Sequence, residues 1–419
     1  MLLTTILNHV QTFKSFVFKK AQWSNAEKTG IDVLVEARAN SRPFCSRCGR
    51  VGPRHGRQPV RRFAYLPVWG IPVTLVYAPR RVNCPWCGIR VESLPWTLPE
   101  NPKSPLTETY AWYLARWAQR LSWSETAEAF RTTWETVCQA VFMAVRWGLA
   151  HRDLSGIQSI GTDEIALRKG HSYITLVYQI DRHCKRLLWI GKERTIGTLQ
   201  GFFDWFGPDK SSRLRFVASD MWASYVKVIA ERAPHALHIL DRFHIMAHMG
   251  KAIDEIRSEE IRTLRAQGKQ PLLSRAKWVP LKRPENLTPT QEIRLGELLS
   301  HNLKGVRAYL LKEDFQAFWD YVSPAWADKF LTRWITRVLR SRLEPMKKVA
   351  RMLRNHQPLI LNWFRAKGQV SSGTVEGCNT KAKLTARKSY GFRTFEIQEM
   401  ALFHSLGSLP VPDWTNKFF

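Results

Sequence analysis

"SIGTDEIALRKGHSYITLVYQIDRHCKRLLWIGKERT" runs from Ser159 to Thr195 and alternates apolar with polar residues. It reads as three antiparallel strands with turns at "RKGH" (168–171) and "DRHC" (181–184). A helical pattern follows around Leu199 to Phe206, then a strand, "RLRFVASD", that closes on Asp220. The helix "WASYVKVIAERAP" (222–234) leads to a fifth strand, "ALHILD", ending on Asp241. One carboxylate, Asp163, lies inside the first strand, and two others sit where the fourth and fifth strands stop.

Three strands, helix, strand, helix, strand is the order of an RNase H-like layer. Beyond it, "RFHIMAHMGKAIDEIRSEEIRTL" opens a long, mostly helical stretch reaching about Gly368. Prolines at 271, 280, 284, 289 and 324 interrupt it, and Trp319, Trp326, Trp334 and Trp363 punctuate it. Then comes "SSGTVEGCNTKAKLTARKSYGFRTFE" from Ser371, in which Glu376 heads a basic helix and the next acid is Glu396. Glu376, Asn379, Lys383 and Arg387 fall at offsets that share one helix face. Such a face can offer a carboxylate to a cation and then track a DNA strand with amide, ammonium and guanidinium groups.

Phosphoryl transfer on DNA is commonly run by two divalent ions held by carboxylates from separate elements. Magnesium, or manganese in its place, takes hard oxygen ligands and keeps waters, so three carboxylates suffice. Asp163, Asp220 and Glu376 are the candidates, as catalytic residues and as ligands of two Mg2+ ions. Glu164 neighbours Asp163, but on a strand its side chain takes the opposite face. Asp241 is a supporting carboxylate that need not ligate metal.

The charge balance agrees with a polyanionic partner. Among 419 residues, 64 Lys and Arg stand against 35 Asp and Glu, a net charge of +29 spread over the chain. That excess excludes an ordinary small-molecule enzyme and points to nucleic acid far ahead of membrane. No apolar run approaches the roughly 20 residues of a membrane span. The N-terminal "MLLTTILNHVQTFKSF" makes a poor signal peptide. Cys138, Cys184 and Cys378 are scattered singly, as in a reducing compartment. Most of the 18 tryptophans are expected in cores, with some free to stack on bases.

Residues 1–100 contain "PFCSRCGR" and "RVNCPWCGIR". Cys45, Cys48, Cys84 and Cys87 thus form two CxxC knuckles, each followed by glycine, the pattern of one tetrahedral structural zinc. The 35 residues between the knuckles read as a hairpin that returns the chain to the metal. His55 is a possible substitute ligand. Arg61, Arg62, Arg80 and Arg81 are candidate contacts to DNA backbone. Residues 101–155 are helical, and "SETAEAFRTTWETVCQAV" (124–141) reads as helix, short turn, helix, with Ser122 and Ser124 as candidate caps. The second helix, about Thr133 to Val145, is the one such a motif lays in a major groove.

At these residues the chain resembles a known family, the insertion-sequence DDE transposases of the ISL-three type. The resemblance spans nearly the whole chain: the double CxxC, "GTDE", "VASDMWASY", "HILDRFHI", "ENLTPTQEIRL" and "GTVEGCNTKAKLTARKSYGFRTFE". It implies an α/β multidomain protein. A zinc-binding domain (1–100) and a helix-turn-helix (101–155) precede an RNase H-like catalytic core (156–245). An α-helical insertion (246–368) interrupts that core before its final helix (369–419). It also implies the triad Asp163, Asp220 and Glu376. The expected function is binding of terminal inverted repeats, metal-dependent phosphodiester cleavage at the element end, and strand transfer to target DNA. The expected setting is a homo-oligomer on double-stranded DNA in a prokaryotic cytoplasm, associated with the nucleoid. The rivals are a DNA-binding regulator on an inactive core, and a nuclease without strand transfer.

Overall fold

Phe16, Phe18, Val33, Val35, Phe63, Tyr65, Val73 and Leu75 alternate with outward-facing neighbours, as period-2 strands with one buried face must. In the computed structural model, which describes residues 2–166, 173–268, 286–299, 303–367, 369, 373–389 and 392–418, they build the first core. The chain divides into two units, Met1–Asp153 with Leu384–Phe419, and Leu154–Lys383. Among the described residues no helix is long and apolar enough to cross a membrane.

In the first unit, helix α1 (Leu3–Val10) precedes strands β1 (Phe16–Trp23), β2 (Ile31–Ala37), β3 (Arg54–Arg57), β4 (Arg61–Val68), β5 (Ile71–Tyr77), β6 (Arg80–Cys84) and β7 (Gly88–Val91). Two sheets result, β1-β2-β5-β4 and β3-β6-β7. The expected hairpin is β4–β5, turning at Trp69 and Gly70, both with positive φ. It belongs to the larger sheet, and β3 and β6 bring the chain back to the cysteines. Trp96 is 1% exposed and packs edge-on against Phe16, Phe63 and Tyr77, with centroids 4.9, 5.9 and 5.5 Å away.

Three helices follow, α2 (Glu108–Ala118), α3 (Trp123–Ala129) and α4 (Trp134–His151). Each begins where a hydroxyl can accept an orphan N–H: Thr107, Ser122 and Thr133 are the N-caps. Ser122 and Glu125 form a reciprocal capping box. Ser124, the other candidate cap, lies inside α3. Helix α4 runs on past the expected Val145 because Ala144, Val145 and Gly148 continue its buried stripe.

The second unit opens with β8 (Ser159–Ala166), β9 (Tyr173–Asp181) and β10 (Cys184–Lys192), followed by α5 (Ile196–Phe206), α6 (Pro208–Ser211), β11 (Phe216–Ser219), α7 (Ala223–Arg232) and β12 (Leu237–Leu240). The sheet order is β10-β9-β8-β11-β12. The first three strands pair antiparallel, and β11 lies parallel to both β8 and β12. The turn at Asp181–Cys184 is as expected, while that at 168–171 lies outside the described residues. Leu199, Phe202 and Phe206 of α5 and Tyr225, Val228 and Ile229 of α7 cover the sheet face that carries Ile160, Val177 and Val217.

Helix α8 (Arg242–Ala266) leaves β12 with Asp241 as its N-cap. After it come α9 (Pro289–Leu299), α10 (Lys304–Gln316), α11 (Pro324–Leu339), α12 (Glu344–Asn355) and the short α13 (Gln357–Ile360) and α14 (Asn362–Arg365). Prolines 271, 280 and 284 fall outside the described residues. Ile245, Met249 and Ile253 of α8 join Phe315, Leu331, Trp334, Met346 and Leu353 in one core. Trp334 is buried and donates its indole N–H to the Leu311 carbonyl, whereas Trp326 is 59% exposed. The Asn362 amide donates to the His238 carbonyl, tying α14 to β12.

Helix α15 (Gly373–Lys388) buries Val375, Asn379 and Ala382. Gly161 of β8 permits its close approach: a Cβ there would stand 2.4 Å from Val375 Cγ2. Helix α16 (Phe395–Leu406), in the first unit, packs on α4.

Candidate active site and metal centre

Gly161, Asp163 and Tyr178 lie on one face of the sheet, since Gly161 and Asp163 are two residues apart and Gly161 pairs with Tyr178. Helix α15 crosses that face. Asn379 Nδ2 donates to Asp163 Oδ2 at 2.5 Å, and Tyr178 Oη donates to Asn379 Oδ1 at 2.8 Å. His244, in the first turn of α8, stands 3.9 Å from Asp163 Oδ2 and 3.9 Å from Asp241 Oδ2. Burial raises the Asp163 carboxyl above its ordinary range. The Glu164 backbone N–H and His244 oppose that rise, and the charges of Asp220 and Asp241 add to it.

Glu164 occupies the opposite face, as its place in the strand requires. It is buried beside α7, and its carboxyl is pushed up to about 7 by burial and then by the charge of Asp220. Asp220 sits just past the end of β11. Its Oδ1 accepts from the Trp222 backbone N–H at 3.0 Å, and its Oδ2 from Arg194 Nη2 at 2.9 Å. Arg194 Nε also lies 3.1 Å from Glu164 Oε1, an ion pair without hydrogen-bond alignment. Sequence reasoning did not single out Arg194. Its signal was slight: one of two cations, with Lys192, at the end of a buried strand, in "GKERT".

The carboxylates expected to act together are therefore only partly assembled. Asp163 and Asp220 are half-buried neighbours that feel each other's charge. Glu376 is exposed on the first turn of α15. Among the described residues, the one group of three or more metal-ligand side chains with all ligand atoms within 4.8 Å of one another is the cysteine quartet.

The basic face of α15 also differs from its expected form. Lys383 and Arg387 are exposed, but Asn379 is 4% exposed, with its carboxamide engaged by Asp163 and Tyr178. At about 100° per residue, Asn379 lies about 60° from Glu376, toward the stripe of Val375 and Ala382. It faces the sheet rather than a DNA strand.

Cys45, Cys48, Cys84 and Cys87 converge as the spacing required. Cys48 and Cys84 Sγ are 3.5 Å apart, near the roughly 3.8 Å between thiolates that share a tetrahedral zinc at about 2.3 Å. Gly49 and Gly88 follow the knuckles with φ of 69° and 72°, a conformation open to glycine at little cost. Burial favours the neutral Cys45 thiol, yet the backbone N–H groups of Cys48 and Arg47 together with the Cys48 and Cys84 thiols bring it down to about 7. Cys87 is pushed up to about 12 by burial and by crowding from the other three sulfurs. Four thiols so placed fit a zinc ion, and His55 is not part of the group.

Of the arginines expected on DNA backbone, Arg80 is corrected. It is 5% exposed: its Nε donates to Glu92 Oε2 at 2.8 Å, its backbone N–H to Glu92 Oε1 at 2.6 Å, and its Nη1 to the Ser41 carbonyl at 2.8 Å. A buried cation held by a buried carboxylate is a structural pair and is closed to phosphate. Arg62 is exposed but pairs with Asp32 at 2.5 Å. Arg61 donates to the Pro102 and Lys103 carbonyls, and Arg81 is exposed on β6.

The chain is thus mixed α/β, with a four-cysteine cluster and two neighbouring aspartates, one inside β8 and one just past β11. A family profile described as transposase matches residues 160–401. The chain belongs to the ISL-three transposase family. It is 28% identical over 399 residues to the transposase for insertion sequence element IS1001 of Bordetella parapertussis, covering 94% of this chain and 96% of that one. It is likewise 28% identical over 395 residues to the transposase for insertion sequence element IS1557 of Mycobacterium tuberculosis, covering 87% of this chain and 86% of that one.

Proposed function

We propose that the protein binds the terminal inverted repeats of an insertion sequence, cleaves a phosphodiester at the element end with divalent metal, and transfers the freed strand to target DNA. The observation that carries this reading is that Asp163 lies within β8 and Asp220 just past the end of the adjacent parallel strand β11, each partly withdrawn from water. The strand order β10-β9-β8-β11-β12 supports an RNase H-like core, with the helices after β12 as an insertion before α15.

The donor set suits hard cations: carboxylate oxygens of Asp163 and Asp220, with Asp163 raised first by burial and then by the charges of Asp220 and Asp241. Two Mg2+ or Mn2+ ions, when bound, would stabilise charge on the attacking and leaving oxygens of the scissile phosphate. Asp163 and Asp220 would hold them, with Glu376 completing the set from α15. Asn379 holds Asp163 in place through Oδ2, and Tyr178 fixes the Asn379 amide. Lys383, Arg387 and Arg81 are exposed cations suited to phosphate, and Arg61 and Arg62 flank them in role. The α3–α4 pair supports a helix-turn-helix that reads the repeat, beside a structural zinc at the four cysteines. Two ends held together imply a homo-oligomer on DNA, in a prokaryotic cytoplasm.

The test compares Glu376→Gln with Glu396→Gln on a labelled duplex carrying the element end, in magnesium. Glu376→Gln abolishes cleavage and keeps end binding, because the amide donates no charge to a divalent ion. Glu396, in the first turn of α16, is dispensable. Cleavage surviving in Glu376→Gln removes α15 from the reaction and favours a DNA-binding regulator.

A further inference from the structure

Arg194 pairs with two of the clustered carboxylates, Glu164 at 3.1 Å and Asp220 at 2.9 Å. We infer that Arg194 is a positioning residue for Asp220, a built-in guanidinium that fixes the carboxylate from which a divalent cation must be held. This rests on the reading of Asp220 as a metal ligand.

Three observations carry it. First, Asp220 is clamped from both sides: Arg194 Nη2 takes Oδ2 at 2.9 Å while the Trp222 backbone N–H takes Oδ1 at 3.0 Å. A carboxylate at the end of a strand would otherwise rotate about χ2, and these two donors leave it one orientation. Second, the guanidinium is itself held. It lies over the Trp222 ring, 4.7 Å from its centroid, and its Nε faces buried Glu164 at 3.1 Å. Third, the backbone is bent to deliver it. Glu193, the residue before Arg194, has φ of 66°, a left-handed conformation that a side chain with a Cβ adopts at a cost. That bend is pinned by the Glu193 N–H to the Tyr173 carbonyl at 2.8 Å, and by the Thr175 hydroxyl to the Glu193 carbonyl at 2.8 Å.

The planar fork explains why arginine is the residue used. One guanidinium can address Asp220 with one nitrogen, Glu164 with another and an aromatic face with its plane, which an ammonium cannot do. It also gives Glu164 a purpose, as the carboxyl group that faces the fork on the side of the sheet away from Asp163.

Removing Arg194 has opposite consequences under two accounts. If the guanidinium merely occupies a cation's place, its loss makes the site more negative and a divalent ion binds more tightly. If it positions Asp220, its loss weakens binding, as loss of an outer partner of a metal ligand does, by roughly 10–100-fold. The measurement is Mn2+ affinity of the full-length, zinc-loaded protein without DNA, by electron paramagnetic resonance, for wild type, Arg194→Gln, Arg194→Lys and Asp220→Asn. The expected result is weaker Mn2+ binding in Arg194→Gln by that factor, partial loss in Arg194→Lys, and loss in Asp220→Asn, with duplex affinity retained. Unchanged or tighter Mn2+ binding in both Arg194 variants, alongside loss in Asp220→Asn, overturns the positioning role. Mn2+ binding unchanged in Asp220→Asn overturns the metal-ligand reading itself, and the Arg194 role with it. Should Arg194→Gln melt early, the Arg194→Lys result decides, because it keeps the charge and removes only the fork.

Discussion

Asn379 donates its amide to Asp163 across 216 positions of sequence, and it does so from the buried stripe of α15. The bond ties the late helix to the first strand of the sheet, two residues along from the Gly161–Val375 contact. Asn379→Ala leaves Asp163 Oδ2 and the Tyr178 hydroxyl without this partner. The expected cost is about 1–3 kcal/mol of stability for a buried group left unsatisfied. Cleavage should fall further than stability explains, while duplex affinity changes little. Thermal melts, cleavage rates and gel shifts on one preparation check all three.

Arg80 gives a sharper separation between structure and binding. Arg80→Ala strands the Glu92 carboxylate in the interior, at about 3–5 kcal/mol. Arg81→Ala, one residue on and exposed, should stay within about 0.5 kcal/mol of wild type. Arg81→Ala should instead weaken binding to any duplex and make the salt dependence shallower by about one unit. Urea unfolding followed with salt-series binding distinguishes them. A stable Arg80→Ala with lost DNA affinity would contradict the assignment.

What could be read from the residues alone divides along one physical line. Period-2 alternation placed β8, β9 and β10, and Ser122 and Thr133 marked helix starts, because those signals are local. The two CxxC pairs were legible because tetrahedral thiolate chemistry fixes their spacing. The role of Arg80 was not legible, since an arginine in a basic loop and one paired with a buried Glu92 look alike until the strands pair. Asn379 was placed on the right helix but the wrong side: a wheel shows which residues share a face, and only Gly161 reveals which face docks. Arg194 carried no motif at all. Its meaning comes from a backbone bend at Glu193 and a carboxylate 26 positions later.

Acid should weaken both units through buried histidines. Burial holds His238 and His404 down to about 4, below the ordinary 6.5. The folded state therefore binds fewer protons than the unfolded one between those values. Their contribution is present in full above about 6.5 and is lost as pH falls toward 4, by about 3 kcal/mol each. In the metal-free protein Glu164 acts in the opposite sense, its contribution fading as pH rises through about 7. His404→Gln should flatten the acid side of a stability–pH curve measured from pH 7.5 to 4.5. An unaltered slope would count against a neutral buried His404.

Zinc should be integral to the first unit. Cys84→Ser should lower zinc from about one per chain to none and expose the β3-β6-β7 sheet to protease, while the second unit stays folded. Metal analysis with limited proteolysis reads both. A Cys84→Ser protein that keeps its zinc and its resistance would remove this cluster as a metal centre.

Under the proposed function, Asp163 carries the chemistry on DNA. The most direct measurement is magnesium-dependent cleavage of a duplex bearing the element end, by wild type and by Asp163→Asn, with end binding measured alongside. Wild type should nick the duplex at the element boundary, and Asp163→Asn should bind it with wild-type affinity and leave it intact. Cleavage by Asp163→Asn at the wild-type rate would contradict the account.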